Sequence, residues 1–211
     1  LPGTIYNFDP ESEPVLHPDT PQNPTTRKGA IRAEMERRLA RPGLRALILR
    51  AGDFFGPRAG NNWFSQGLVT PGKPVRSILY PGRKGVGHAW AYLPDLGEAF
   101  ARVLDRETDL PDFARFHFAG HWLDETDFAS AMAHATGRDR IGVRRLPWGL
   151  LPLVAPFNPT MREMIEMQTF WEHPTRIDNR ELVSLIGEEP HTPFDTAVAT
   201  VLEALGCLRS A

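Results

Sequence analysis

The sequence predicts an α/β fold, with a parallel sheet and flanking helices over residues 1–120 and a smaller, mostly helical lobe over residues 121–211. Three observations lead there. Short apolar runs without polar alternation, Ala46-Leu47-Ile48-Leu49 being the clearest, have the pattern of strands covered on both faces. A helical pattern, with Ile31, Met35 and Leu39 spaced by four, lies between two such runs and makes a β-α-β unit. Beyond residue 120 helical patterns dominate. The 211 residues are 41 % hydrophobic and 24 % charged, enough apolar material to bury a core.

Leu1 to Tyr6 reads as a buried strand, and because Leu1 opens directly on it, a further segment is expected upstream. Asn7 to Pro24, rich in Pro, Asp and Glu, reads as an exposed loop. Thr25 or Thr26 is the N-cap of the first helix, and Pro42-Gly43 ends it. After the strand at Ala46, His88 to Tyr92 forms another, and Asp95 caps a helix with Leu96, Ala99, Phe100, Val103 and Leu104 inward. Arg115 to Ala119 continues the alternation. In the second lobe, Glu125 to Thr136, Met161 to Phe170 and Phe194 to Leu205 are helical, and Ile141 to Leu146 is a strand. Gly82, Gly85 and Gly87 lack the spacing and strand-to-helix setting of a phosphate loop and read as a flexible connection.

A net charge of -2 without a basic stretch disfavours nucleic acid and anionic membrane as partners and leaves a small molecule. The most apolar run, Leu150 to Phe157, is short and broken by Pro152 and Pro156, so it does not span a bilayer. Cys207 is the only cysteine, which fits a reducing cytoplasm and leaves no internal disulfide or cysteine-rich metal site. Of seven histidines, only His117 and His121 are four apart, and they straddle a strand end at Gly120, so no metal site is expected.

Leu47 to Pro57 is a buried strand running into a polar turn with a glycine, the place where open α/β sheets bind ligands. This LILRAGDFFGP run resembles the sixth strand and following turn of the extended short-chain dehydrogenases/reductases, the NAD-dependent epimerase/dehydratase family. Other segments follow in that family's order: Thr4-Ile5-Tyr6, the helix from Thr25, Ala91-Tyr92-Leu93-Pro94-Asp95, Arg176-Ile177-Asp178-Asn179, and Leu185-Ile186-Gly187 before Pro190. The resemblance implies the C-terminal part of a Rossmann-like, doubly wound parallel sheet with a helical substrate lobe, the N-terminal dinucleotide-binding strands being absent. It implies NAD or NADP as cofactor of the full-length protein, with weak or no binding by this portion, and a homodimer as a possible assembly. By resemblance Tyr6, Arg32, Ala51, Gly52 and Phe54 lie beside the cofactor, and Asp53, Asn62, Trp63 and His88 line the substrate pocket. Asp53 stands where nucleotide-sugar enzymes of the family carry asparagine, which argues against a diphosphate-linked sugar. Each also has a plainer reading: a structural turn for Ala51 to Phe54, core packing for Trp63 and His88.

The catalytic tyrosine and lysine of the family fall on Lys28 and Arg32, counted back from Glu36, and its serine or threonine falls on Pro2. Lys28, Arg32 and Glu36 share one helical stripe. Such a stripe is either a solvated, salt-bridged face or a rearranged site in which Lys28 exchanges a proton and Arg32 holds ribose or phosphate. The sequence thus leaves an NAD(P)-dependent oxidoreductase, epimerase or dehydratase with a non-standard catalytic helix beside a non-catalytic dinucleotide sensor and a structural module of the same fold.

Overall fold

The computed structural model describes residues 1–60 and 62–208. Its strands are β1 (Pro2–Thr4), β2 (Val15–Leu16), β3 (Ala46–Ala51), β4 (Asp53–Phe55), β5 (Ser77–Tyr80), β6 (His88–Tyr92), β7 (Phe113–His117), β8 (His121–Leu123), β9 (Gly142–Arg145) and β10 (Arg176–Ile177). The α-helices are α1 (Arg27–Leu39), α2 (Leu93–Leu104), α3 (Glu125–Thr136), α4 (Leu151–Val154), α5 (Pro159–Glu166), α6 (Gln168–Glu172), α7 (Arg180–Ile186) and α8 (Phe194–Ala204).

The expected β-α-β unit is present: β1 pairs parallel with β3 at Gly3↔Arg50, α1 lies between them in sequence, and β3 pairs parallel with β7. Both faces of β3 are covered. Leu49 and Ala51 pack on Leu96, Ala99 and Val103 of α2 and Leu182 of α7. On the other face Arg50, fully buried, meets Glu36 of α1. Glu36 therefore leaves the solvated stripe and faces inward. The α1 pattern differs from expectation for a local reason. Thr26 Oγ1 accepts the Gly29 amide at 3.0 Å, and Gly29 packs so closely that a Cβ there would stand 2.0 Å from the Tyr6 carbonyl oxygen. The helix thus docks by its backbone and leaves Ile31 58 % exposed.

Gly52 marks a switch between sheets. A Cβ there would lie 2.0 Å from the Ala89 carbonyl oxygen, so only glycine lets β4 pair with β6. β4 and β6 are parallel, β6 and β8 antiparallel. One face of this second sheet carries a large core in which Phe55, Phe64, Trp90, Phe128, Trp171, Val198 and Leu202 are all buried.

Several expectations are corrected. The segment after Asn7 is not an exposed loop: Asn7, Phe8 and Leu16 are buried, and β2 pairs with β10. Asp95 lies in the first turn of α2 but does not cap it; its carboxylate accepts the Thr192 amide and hydroxyl at 2.7 and 2.6 Å. The glycine-containing connection is held in place, since the Gly85 amide donates to Glu125 and Gly87 lies against the Trp122 ring. β5, which alternation alone does not reveal, pairs with β9.

Candidate functional site

Three polar side chains converge beyond the end of β3. Tyr6 sits on a 3-10 turn over Ile5–Asn7, capped by Thr4, whose hydroxyl accepts the Tyr6 amide at 3.2 Å. Asp53 begins β4, directly after the glycine that allows the sheet switch. His88 begins β6, and because Asp53 is paired with Trp90, the two-residue period of the strand puts His88 on the same face. The Tyr6 hydroxyl donates to Asp53 Oδ1, and His88 Nε2 lies 2.5 Å from Asp53 Oδ2. Asp53 and His88 are buried, Tyr6 half-buried.

Aromatic rings enclose this trio. The Trp171 ring stacks on His88 with centroids 4.0 Å apart, and Phe170 packs on Tyr6 at 4.9 Å. Trp63 meets Trp171 edge-on at 5.2 Å and lies 6.4 Å from Trp148. Burial, then the Asp53 charge and its hydrogen bond, hold the Tyr6 hydroxyl well above its usual pKa. The Trp63 indole and the Arg32 charge act in the opposite direction.

Of the residues nominated by sequence, Tyr6, Asp53, Trp63 and His88 thus come together, with Arg32 near enough to be felt electrostatically at Tyr6. The others lie elsewhere. Ala51 and Phe54 pack with Leu49 and Ala91 in the α2 core, and Gly52 is pressed on Ala89. Asn62 serves its own turn, donating to the Ala59 and Gly60 carbonyls and accepting the Ser65 amide. Lys28 pairs with Glu163 at 3.1 Å on the surface, and Arg32 is exposed. Sequence reasoning does not single out Phe170 and Trp171. Their signal is an aromatic pair set among Gln168, Thr169, Glu172 and His173.

Among the described residues no helix start presents a glycine-rich turn of amides, so these residues do not form a pyrophosphate cradle. Nor does any group of three or more His, Cys, Asp or Glu among them suit a metal ion. His117 is instead buried beside Arg50 and the Leu16 carbonyl, and His121 against His191.

No protein-family model and no curated protein matches the chain. Solved structures do. A UDP-glucuronic acid 4-epimerase from Bacillus cereus, in complex with UDP-glucuronic acid and NAD, matches over 97 % of this chain with TM-score 0.67 and 11 % identity. A human epimerase family protein with NADPH matches over 96 % with TM-score 0.65 and 16 % identity. L-threonine 3-dehydrogenase from Trypanosoma brucei matches over 97 % with TM-score 0.63 and 15 % identity. The matches cover 60 %, 64 % and 61 % of those three chains, respectively. The chain thus has the Rossmann-type fold of epimerase and short-chain dehydrogenase/reductase structures and spans less than two thirds of their length.

Proposed function

We propose that this chain forms the substrate side of an NAD(P)-dependent oxidoreductase, epimerase or dehydratase acting on a small carbonyl, hydroxyl or sugar-type compound. The carrying observation is the buried Tyr6, Asp53 and His88 cluster, placed where a parallel strand ends and gives way to a second sheet. In this reading residues 1–120 are the second half of a dinucleotide-binding domain and residues 121–211 a substrate lobe, which contributes Phe170 and Trp171. The protein works in the cytoplasm, and a homodimer is its proposed assembly. Lys28 and Arg32 occupy the catalytic-helix positions, and Ala51, Gly52 and Phe54 shape the cofactor side from behind.

The test uses the full-length protein. Titration with NADH and NADPH, read by nicotinamide fluorescence, is expected to show binding that is weak or absent in residues 1–211 alone. Lys28→Met and Arg32→Gln should then change affinity or turnover. Unaltered values in both variants remove Lys28 and Arg32 from the site, and no dinucleotide binding by the full-length protein sinks the reading.

A second reading is a non-catalytic dinucleotide sensor. It draws on Pro2 at the position of the family's hydroxyl residue and on the Lys28 ammonium spent on Glu163. It predicts bound nicotinamide that is never oxidised or reduced across a broad panel of carbonyls and sugars.

A further inference from the structure

The most exposed large apolar side chains among the described residues sit in one short stretch: Leu150, Leu153 and Phe157 are 59 %, 72 % and 89 % exposed. The stretch is a run of helical turns, a 3-10 turn over Trp148–Leu150, then α4, then a 3-10 turn over Ala155–Phe157. Spacings of three and four put those side chains on one face and the buried Leu151 and Ala155 on the other. The turns are thus apolar outside as well as inside. Residues 146–161 hold no charged side chain, and arginines stand at both ends, Arg140, Arg144 and Arg145 before and Arg162 after. From Arg140 to Arg162 there is no acidic residue, and Asp139 stands between Arg138 and Arg140.

The carboxylates that fold near this stretch are engaged. Glu125 takes Arg145 at 3.3 Å, Glu163 pairs with Lys28, and Glu166 accepts the Arg27 amide. Arg140, Arg144 and Arg162 are exposed and enter no ion pair among the described residues. The net charge of -2 therefore averages over a local basic excess. A phenyl ring as exposed as that of Phe157 forms a ridge, not a socket. A protein partner needs a hollow of matching shape for it, whereas lipid does not. A second copy of the chain would also bring like charges together. Pro152 and Pro156 have no amide hydrogen, so the ridge carries fewer donors into an apolar layer.

We propose that the ridge of Leu150, Leu153 and Phe157 docks the protein on an anionic lipid surface. The three side chains enter the outer acyl layer, and Arg140, Arg144 and Arg162 meet the anionic headgroups. The ridge is too short to span a bilayer, so the contact is with one leaflet. It does not depend on dinucleotide binding.

The test is co-sedimentation of the full-length protein with vesicles of equal parts phosphatidylcholine and phosphatidylserine, against vesicles of phosphatidylcholine alone. Binding to the mixed vesicles is expected, weaker binding to the uncharged ones, and release from the mixed vesicles as salt is raised. Leu153→Ser and Phe157→Ser should each weaken binding about tenfold or more, the worth of one large apolar side chain in hydrocarbon. Arg144→Gln and Arg162→Gln should each weaken it about fivefold. All four side chains are exposed, so the melting temperature should stay at the wild-type value, which separates lost docking from lost folding. No co-sedimentation, equal binding to both vesicle types, or wild-type binding by Phe157→Ser overturns the proposal. So does a dimer in solution that Phe157→Ser dissolves, which makes a second copy the occupant. Binding by residues 1–211 but not by the full-length protein overturns it too, since an upstream segment then covers the ridge.

Discussion

Glu36 and Lys28 are eight residues apart on one helix and have opposite fates. Lys28 forms an exposed pair with Glu163, and Lys28→Met should cost under about 1 kcal/mol. Glu36 is buried and accepts from Arg50, Asn7 and Gln22. Arg50→Met leaves that carboxylate without its cation and should cost about 3–5 kcal/mol, read from the urea midpoint. Burial of this kind also makes stability depend on pH. Desolvation, and then the Arg50 charge, depress the His117 pKa to about 4; desolvation and His191 do the same to His121. The unfolded chain takes these protons first, near pH 6.5. The stability that these two histidines contribute is therefore complete above pH 6.5, is lost as pH drops from 6.5 towards 4, and changes no further below it. Urea unfolding at pH 7.5, 5.5 and 4.5 should show the decline, and His117→Gln should reduce it. The sequence could not separate Glu36 from Lys28, because helical periodicity gives a shared stripe but not the face that docks.

At the level of elements, the glycines divide by what surrounds them. Gly52 faces the Ala89 carbonyl, and Gly52→Ala should force β4 from β6, giving insoluble protein or a loss of several kcal/mol, about 3 or more. Gly97 lies within α2 with nothing inside 4 Å of an added Cβ. Gly97→Ala should stabilise by about 0.5–1 kcal/mol, seen as a higher melting temperature. Elements with strong local signals were legible. Glu125–Thr136 matches its expected span, as Asp124 and Asp127 form a capping box and Gly137 adopts a left-handed C-cap. β5 was not legible, because Ser77–Tyr80 is stabilised by pairing with a partner some 65 residues away rather than by local pattern.

Across the whole molecule, the alternation of strand and helix was enough to predict the α/β class, and the order of segments anticipated the fold. Half of the candidate site followed from it. Tyr6, Asp53, Trp63 and His88 converge because strand ends converge, which topology foretells. The closing wall of Phe170 and Trp171 comes from residues about 80 positions or more beyond His88, and no local pattern specifies that distant docking. The large core joins Phe55, Phe64 and Trp90 to Phe128, Trp171 and Val198, so residues on both sides of position 120 share it. In hydrogen exchange, the amides of Trp90 and Phe128 should open only with global unfolding, and that of Leu153, whose side chain is 72 % exposed, much sooner.

The pairing of β2 with β10 bears on how the chain is made. The Pro14 carbonyl accepts the Arg176 amide, the Leu16 carbonyl accepts the Asp178 amide, and His17 meets Asp178 across 161 positions of sequence. A ribosome adding about 5–20 residues per second needs on the order of ten seconds or more to cover that distance. For that interval Leu16 and Phe8, buried in the finished protein, emerge without the strand that covers them. The early chain is thus a natural client for a chaperone, and the β2–β10 pairing waits until Ile177 has been made.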